Sequence, residues 1–516
     1  MKLRSKVALG AMSAAAALML AACSGNAATS STTTPATSSQ GGTLTIATAS
    51  DLTSFDPAQA HQGHPTLFFQ PVYDSLLRVK PDGQTVVPML ATKWSYNASK
   101  TVLTLTIRKG VKFSDGSALT AAVVKENLDR FRTGNGPDAS TLADVTKVEA
   151  TDPTTVVLTL AAPNPSLLNY LGNEDSFIAS PKAIAGGHLA TQPVGSGPYT
   201  YDAAASVVGS KYTFVARKNY WDPSLQKFKT IVLTPLLNST ATLNALLSGQ
   251  VDAALLTPKT AAQATGAGMT ENKFGGAWQG LFILDRDGKT VPALANVKVR
   301  QAINLAIDKR SIIKEVNSGL GEVTSQILPA GVPGYQKSLD TKYAYNAAKA
   351  KKLMADAGYA SGFSVSMPTV AGAIDPALTA AIGQNLGAIG ITVNWVNIPA
   401  ANFVADLTSG KFPMSWFQES QGTAWYTSQV LVTPTAVYNP FHTTDPKVES
   451  LIGTIQNGNA SDADSAAAEL NGYLTDQAWF APFLRVQNVF FTDSKVTVQP
   501  QQFEPVPYIY NYAPKK

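Results

Sequence analysis

Between Leu281 and Phe417 the apolar residues change period repeatedly, and a glycine closes one helical stretch after another. Leu281 to Leu284 reads as a short strand. Val299, Ala302, Ile303, Ala306 and Ile307 then recur at helical spacing. A helix from Ala347 to Ala357 stops at Gly358, a natural left-handed residue after a helix. Phe363 to Met367 is a strand, and a helix from Pro376 to Ile389 ends at Gly390 and runs into the strand Ile391 to Val396. A last helix, 401–409, ends at Gly410 before the strand Phe412 to Phe417. Strands alternating with helices restrict this region to an α/β architecture.

The region upstream is richer in strands. Residues 43–48, 155–160, 212–216 and 229–234 read as strands. Lys93 to Ser95 and Val102 to Arg108 form a hairpin. Thr120 is a good N-cap for a helix reaching about Phe131, with Val123, Val124, Leu128 and Phe131 as its apolar stripe. Gly195-Ser196-Gly197-Pro198-Tyr199 is a tight loop, and a helix over 239–248 ends at Gly249. No repeat of fixed period occurs.

The N-terminus is of a different kind. Lys2, Arg4 and Lys6 precede a run from Val7 to Ala22 that holds no charged residue. This pattern predicts a secretory signal over 1–22, shorter than the ~20 apolar residues that span a bilayer. The run ends Leu20-Ala21-Ala22-Cys23, which resembles the lipobox of bacterial lipoproteins and implies lipidation of Cys23. Residues 24–42 lack charge and large apolar side chains, so 23–42 reads as a lipidated cysteine and flexible tether. A coil of that length spans about 24 Å.

Charge and cysteine content exclude several classes. The formal net charge is +5, and three of the basic residues lie in the export signal, which leaves +2. That gives no case for nucleic acid. The single cysteine forms no intrachain disulfide and no cysteine-only metal site.

The stretch Leu90-Ala91-Thr92-Lys93-Trp94-Ser95, continued by Leu103 to Ile107 and by Arg108-Lys109-Gly110-Val111-Lys112-Phe113-Ser114-Asp115-Gly116, resembles the signature region of the family 5 extracellular solute-binding proteins. Phe55-Asp56-Pro57, Val72-Tyr73-Asp74-Ser75-Leu76, Gly195-Ser196-Gly197-Pro198-Tyr199, Gly249-Gln250-Val251-Asp252 and Val299 to Asp308 match in the family's order. Lys352 to Gly358, and Asn439 followed by Asp445-Pro446-Lys447-Val448, complete the set. The resemblance implies a two-lobed α/β clamshell of the type II periplasmic-binding-protein kind, with an inserted subdomain in the first lobe. Lobe I would take 43–275, with the insertion at about 66–190, and lobe II 276–485. Residues 486–516 would return to lobe I. The implied protein is a monomer without cofactor, anchored outside the cytoplasm by its lipid. It captures a small ligand, an oligopeptide first, and delivers it to an ABC importer permease. A sugar, a metal chelate or an opine-like ligand, and a signalling or chaperone role, stay open.

The resemblance also places a ligand cavity near Trp416, Phe417, Gln418, Glu419, Trp425 and Tyr426. Aromatic area with a few directing polar groups suits such a cavity. The alternative for Trp416 and Trp425 is the lobe core. Peptide-binding members carry an aspartate here, whereas residues 422–426 read Gly-Thr-Ala-Trp-Tyr; Glu419 is the one carboxylate nearby and would have to anchor a ligand amine. Trp278 and Gln279, at the implied lobe crossing, and His64, in the loop after the Asp-Pro turn, are further candidate contacts. His61 and His64 lack the cysteines or acids that would complete a metal shell, so no metal is expected.

An enzyme is not expected. Ser224-Leu225-Gln226-Lys227 and Ser311-Ile312-Ile313-Lys314 fit a serine–lysine spacing, but neither has the companion motifs of that chemistry.

Overall fold

Alternation in Thr43-Leu44-Thr45-Ile46 buries Leu44 and Ile46 on one face of the first strand, β1 (Gly41–Thr48). The computed structural model describes residues 40–372 and 374–515. The expected export signal, Cys23 and most of the tether fall on residues 1–39 and lie outside the described residues. The tether's last residues do not: Gly41 and Gly42 already belong to β1. Gly41 pairs with Phe228 and lies so close beneath its ring that a Cβ would sit 2.8 Å from it.

β1 pairs in parallel with Phe228–Pro235 and with Ala253–Leu256. It lies inside a nine-stranded sheet that also holds β2 (Thr270–Ile283), β3 (Met414–Ser420) and β4 (Phe480–Thr492). The order from one edge is β3, β2, β4, Ala253–Leu256, β1, Phe228–Pro235, Tyr212–Ala216 and Tyr199–Tyr201, with Glu322–Val323 attached to β4. β2 and β4 pair antiparallel from Thr270 to Phe282, with register shifts at Gly275/Ala277 and Gln279/Gly280. Such irregularities sharpen the twist of paired strands.

Two sequence expectations need correction here. The short strand expected at Leu281 to Leu284 is the end of β2, which is 14 residues long and closes at Ile283. Gly275-Gly276 reads locally as a break, and pairing with β4 carries the strand through it. The strand expected at Phe412 to Phe417 starts at Met414, because the Pro413 carbonyl is held by the N–H groups of Leu284 and Asp285. The helix before it contracts to Phe403–Thr408.

The local motifs form as expected. Ala91–Tyr96 and Val102–Ile107 make the hairpin, widened by Thr155–Leu160 and Val145–Asp152 into a four-stranded antiparallel sheet. The helix Ala121–Thr133 buries Val124, Leu128 and Phe131 in the same core as that sheet, and the Thr120 hydroxyl accepts from the Val123 N–H at 3.4 Å. In the tight loop, a Cβ on Gly195 or Gly197 would run into the Val72 carbonyl. Gly358 has φ +85°, as its helix-stopping role requires.

The buried apolar residues fall into separate cores. One gathers Leu44, Phe68, Tyr73, Phe214 and Phe274 with Phe490 and Tyr512 from the far end of the chain. A second lies between Leu76 and Ile178. Two more lie within 278–484, one on each face of β2 and β3. Among the described residues no helix is long and apolar enough to cross a membrane.

Candidate ligand-binding site

Strand parity decides where the sequence-selected residues go, because neighbours on a strand point to opposite faces. β2 and β3 are antiparallel, with Trp278 opposite Glu419, Gln279 opposite Gln418, Gly280 opposite Phe417 and Leu281 opposite Trp416. Trp278, Phe282 and Phe417 therefore share one face and its core. Trp278 is fully buried and stacks on Phe282 with ring centres 4.9 Å apart. Phe417 packs on Phe282, Tyr438 and Phe403 at 5.0–5.9 Å. Trp416 packs against the core on the opposite face. Gln279 and Gln418 lie on that face too, where the Gln279 amide donates to Gln418 Oε1 at 2.8 Å in solvent.

Glu419 is only 9% exposed. Burial pushes its carboxyl up to about 7, against the pull of the Ser420 backbone and the Tyr438 hydroxyl. After β3, Gly422-Thr423 leads into the helix α1 (Ala424–Leu431), whose Tyr426 N–H is capped by the Thr423 hydroxyl at 3.2 Å. On α1, Trp425 turns into the core and is 6% exposed. Tyr426 turns the other way, into a cavity.

That cavity has a volume of about 330 Å³. One wall is Ser420-Gln421-Gly422-Thr423 with Tyr426. The facing walls come from Gln62, from Asp138 and Thr141, from Asn169 to Asp175, and from Gln501 to Glu504 with Tyr508. Of the residues selected from sequence, Tyr426 alone is in its lining, next to the selected Glu419 in the case of Ser420. Trp278, Gln279, Trp416, Phe417, Gln418, Glu419, Trp425 and His64 are not in it. His64 is half-buried, its Nδ1 has no partner, and burial lowers its pKa.

The lining carries four carboxylates that sequence reading missed: Asp138, Glu174, Asp175 and Glu504. Glu174 and Asp175 sit on a short 3-10 turn, Glu174–Ser176, between buried Leu171 and buried Phe177-Ile178. The apolar flanks draw the polar turn inside. Ser176 then satisfies the backbone there, donating to the Leu171 carbonyl at 2.7 Å and accepting from the Leu76 N–H at 2.9 Å. Thr66 donates to Glu174 Oε1 at 2.9 Å, and Thr141 donates to Asp175. Gln62 donates to Glu504 Oε1 at 2.7 Å through its side chain and to Asp138 Oδ2 at 2.8 Å through its backbone. Tyr508 Oη lies 2.7 Å from Asn173 Oδ1 and 3.0 Å from Glu504 Oε1.

Burial governs the charge state of this wall. It pushes Glu174 up to about 7, and with the Glu174 charge nearby it pushes Asp175 and Glu504 well above the usual carboxylate range. Asp138 is raised by the same cause. Taking a carboxylate from water without a partner is costly, so an empty site favours the neutral acids. Among the described residues no lysine or arginine lines the cavity. The one sequence signal for this wall is the adjacent acid pair Glu174-Asp175, separated by Ser176 from the apolar Phe177-Ile178-Ala179, in a chain only 15% charged.

Comparison with known proteins agrees with the fold. The glutathione-binding protein GsiB of Salmonella choleraesuis (strain SC-B67) is 28% identical over 337 residues, and the match spans 63% of this chain and 63% of that relative. The periplasmic binding protein DppA from Helicobacter pylori, in complex with the peptide STSA, superposes with a TM-score of 0.75 at 22% identity, covering 92% of this chain and 99% of that one. The binding protein AgaA from A. tumefacien R10, in complex with agropinic acid, gives 0.74 at 23%, covering 92% and 99%. These likenesses show a two-lobed, type II periplasmic-binding-protein architecture. The model of the bacterial extracellular solute-binding proteins, family 5, matches residues 85–445. That span is well over half of the sequence, and the chain belongs to this family of extracellular solute-binding proteins.

Proposed function

We propose that the protein is an exported receptor that encloses a short peptide in the 330 Å³ cavity and hands it unchanged to the permease of an ABC importer. The observation that carries this reading is the cavity itself: segments more than 400 residues apart in sequence, Gln62 and Glu504 among them, converge on one space lined by buried carboxylates. Its volume lies at the lower end of the ~300–1,000 Å³ range of small-ligand sites. A ligand ammonium would meet the acids, and Tyr426 and Tyr508 would supply apolar area. The curated relative is named for glutathione and a structural neighbour holds a tetrapeptide, so a peptide backbone is the chemistry the two have in common.

The proposed lobes are 43–275, with the insertion at about 66–190, and 276–485, with 486–516 returning to the first. Both boundaries fall inside long strands, β2 and β4. Ligand would raise the population of the closed arrangement by touching both sides of the cavity. We assign Tyr426 as a ligand contact and Trp278, Trp425 and Phe417 to the packed wall behind it. Export by residues 1–22, lipidation at Cys23 and a monomeric receptor on a tether that ends before Gly41 complete the reading.

A thermal-shift screen of the exported chain from Ser24 onward tests it. A ligand at 100 times its Kd adds about 2.7 kcal/mol of stability. Shifts with short peptides are expected. Shifts confined to sugars or metal chelates would discard the peptide assignment.

A further inference from the structure

Two oxygens in the cavity wall have nothing to bond to. Glu174 is 1% exposed and Glu504 is 3% exposed; in each, Oε1 has a partner and Oε2 has none. A buried acceptor without a donor is expensive, and native proteins rarely keep one. Here there are two, both on residues that line the same cavity. Their neighbours do not relieve them. Thr66, Gln62 and Tyr508 are spent on the Oε1 atoms, and the charges that act on them, Asp138 on both and Glu174 on Glu504, carry the same sign.

We propose that Glu174 and Glu504 form a cation subsite, and that the natural ligand is a basic one, carrying an ammonium or guanidinium group on these free oxygens and a net positive charge overall. The claim rests on the receptor reading above and narrows its ligand class. Four carboxylates face a cavity that no lysine or arginine lines among the described residues. At the N-terminus of α1 the Tyr426 N–H, which could meet a ligand carboxylate, is already held by the Thr423 hydroxyl. An N–H cation suits the wall better than a metal ion. Among the described residues no three acids or histidines converge closely enough to ligate one. Charge-assisted hydrogen bonds to carboxylates are the strong kind, and a guanidinium presents several such donors in a fixed fork.

Calorimetric titration of the exported chain from Ser24 onward, at pH 8, tests the proposal with four probes: Arg-Ala, Ala-Ala, glutathione and spermidine. Arg-Ala is expected to bind at least about 10-fold more tightly than Ala-Ala, and glutathione most weakly. Glu174→Gln and Glu504→Gln should each cost Arg-Ala about 10-fold or more. If a variant fails to fold, the probe ranking on the wild-type protein still decides. Ala-Ala or glutathione binding as tightly as Arg-Ala would overturn the cation subsite and leave the peptide receptor standing. Spermidine binding with no peptide bound would support the subsite and overturn the peptide reading. Unchanged Arg-Ala affinity in both folded variants would overturn the assignment to these two residues, and no heat with any probe would overturn both readings.

Discussion

The side-chain amide of Gln62 donates to Glu504 Oε1 at 2.7 Å and joins positions 442 apart in sequence. Its backbone N–H holds Asp138, so one residue positions two acids of the cavity wall. Gln62→Ala removes the side-chain donor and leaves Tyr508 as the remaining partner of Glu504 Oε1. A loss of about 0.5–1.5 kcal/mol is expected. Urea unfolding at pH 7 checks it; an unchanged midpoint would show that the contact contributes nothing.

The raised carboxyls make the empty protein sensitive to base. Glu174 and Glu419 each move from 4.5 to about 7 on folding. Between those values the native state holds protons that the unfolded chain has released. Their contribution is therefore complete below pH about 4.5 and is lost as pH rises through about 7. Lys309 works the other way. Burial lowers it from 10.5 to about 7, so its penalty shrinks as pH rises between those two values. Glu419→Gln should flatten the loss between pH 4.5 and 7, which denaturant titrations across that range would detect. Parallel profiles for wild type and variant would count against the shift.

Cation binding should release protons. A ligand ammonium favours the ionised carboxylates, so affinity for Arg-Ala is expected to rise as pH increases through about 7, opposite to the stability trend. Titrations in buffers of different ionisation enthalpy report the proton count directly. Proton uptake, or none, would contradict this.

Trp278 and Gln279 are adjacent on β2 and should behave in opposite ways. Trp278 is fully buried against Phe282 and Phe480, so Trp278→Ala is expected to cost about 3–5 kcal/mol. Gln279→Ala touches only an exposed amide pair and should stay within about 0.5 kcal/mol. Equal effects in thermal melts would mean that the face assignment is wrong.

At the N-terminus, Cys23→Ser should move the protein from the membrane fraction to the soluble one, since a lipid chain anchors by ~0.8 kcal/mol per buried CH₂. Retention in the membrane fraction after salt and carbonate washing would remove the lipid assignment.

What was legible in the sequence was local. The hairpin before Ile107, the Thr120 cap, the Gly195-Ser196-Gly197 approach and the Gly358 stop depend on a few neighbouring residues, and each forms as its pattern indicates. The full length of β2 was not legible, because only β4 carries a strand across Gly275-Gly276. Within 416–426 the aromatic content does not show which side chains reach the cavity. Parity sends Trp416 and Phe417 to opposite faces, and one helical step separates buried Trp425 from Tyr426 in the cavity. Beyond the Glu174-Asp175 pair the acid wall was not legible, since an acid such as Glu504 reads in sequence as solvent-facing and the convergence is purely tertiary.

A crystal structure of the protein with Arg-Ala bound tests the central claim most directly. The account predicts peptide density in the cavity between Tyr426 and Tyr508, with a ligand nitrogen within about 3 Å of Glu174 Oε2 and Glu504 Oε2. Density elsewhere, or a ligand carboxylate facing these two residues, would contradict it.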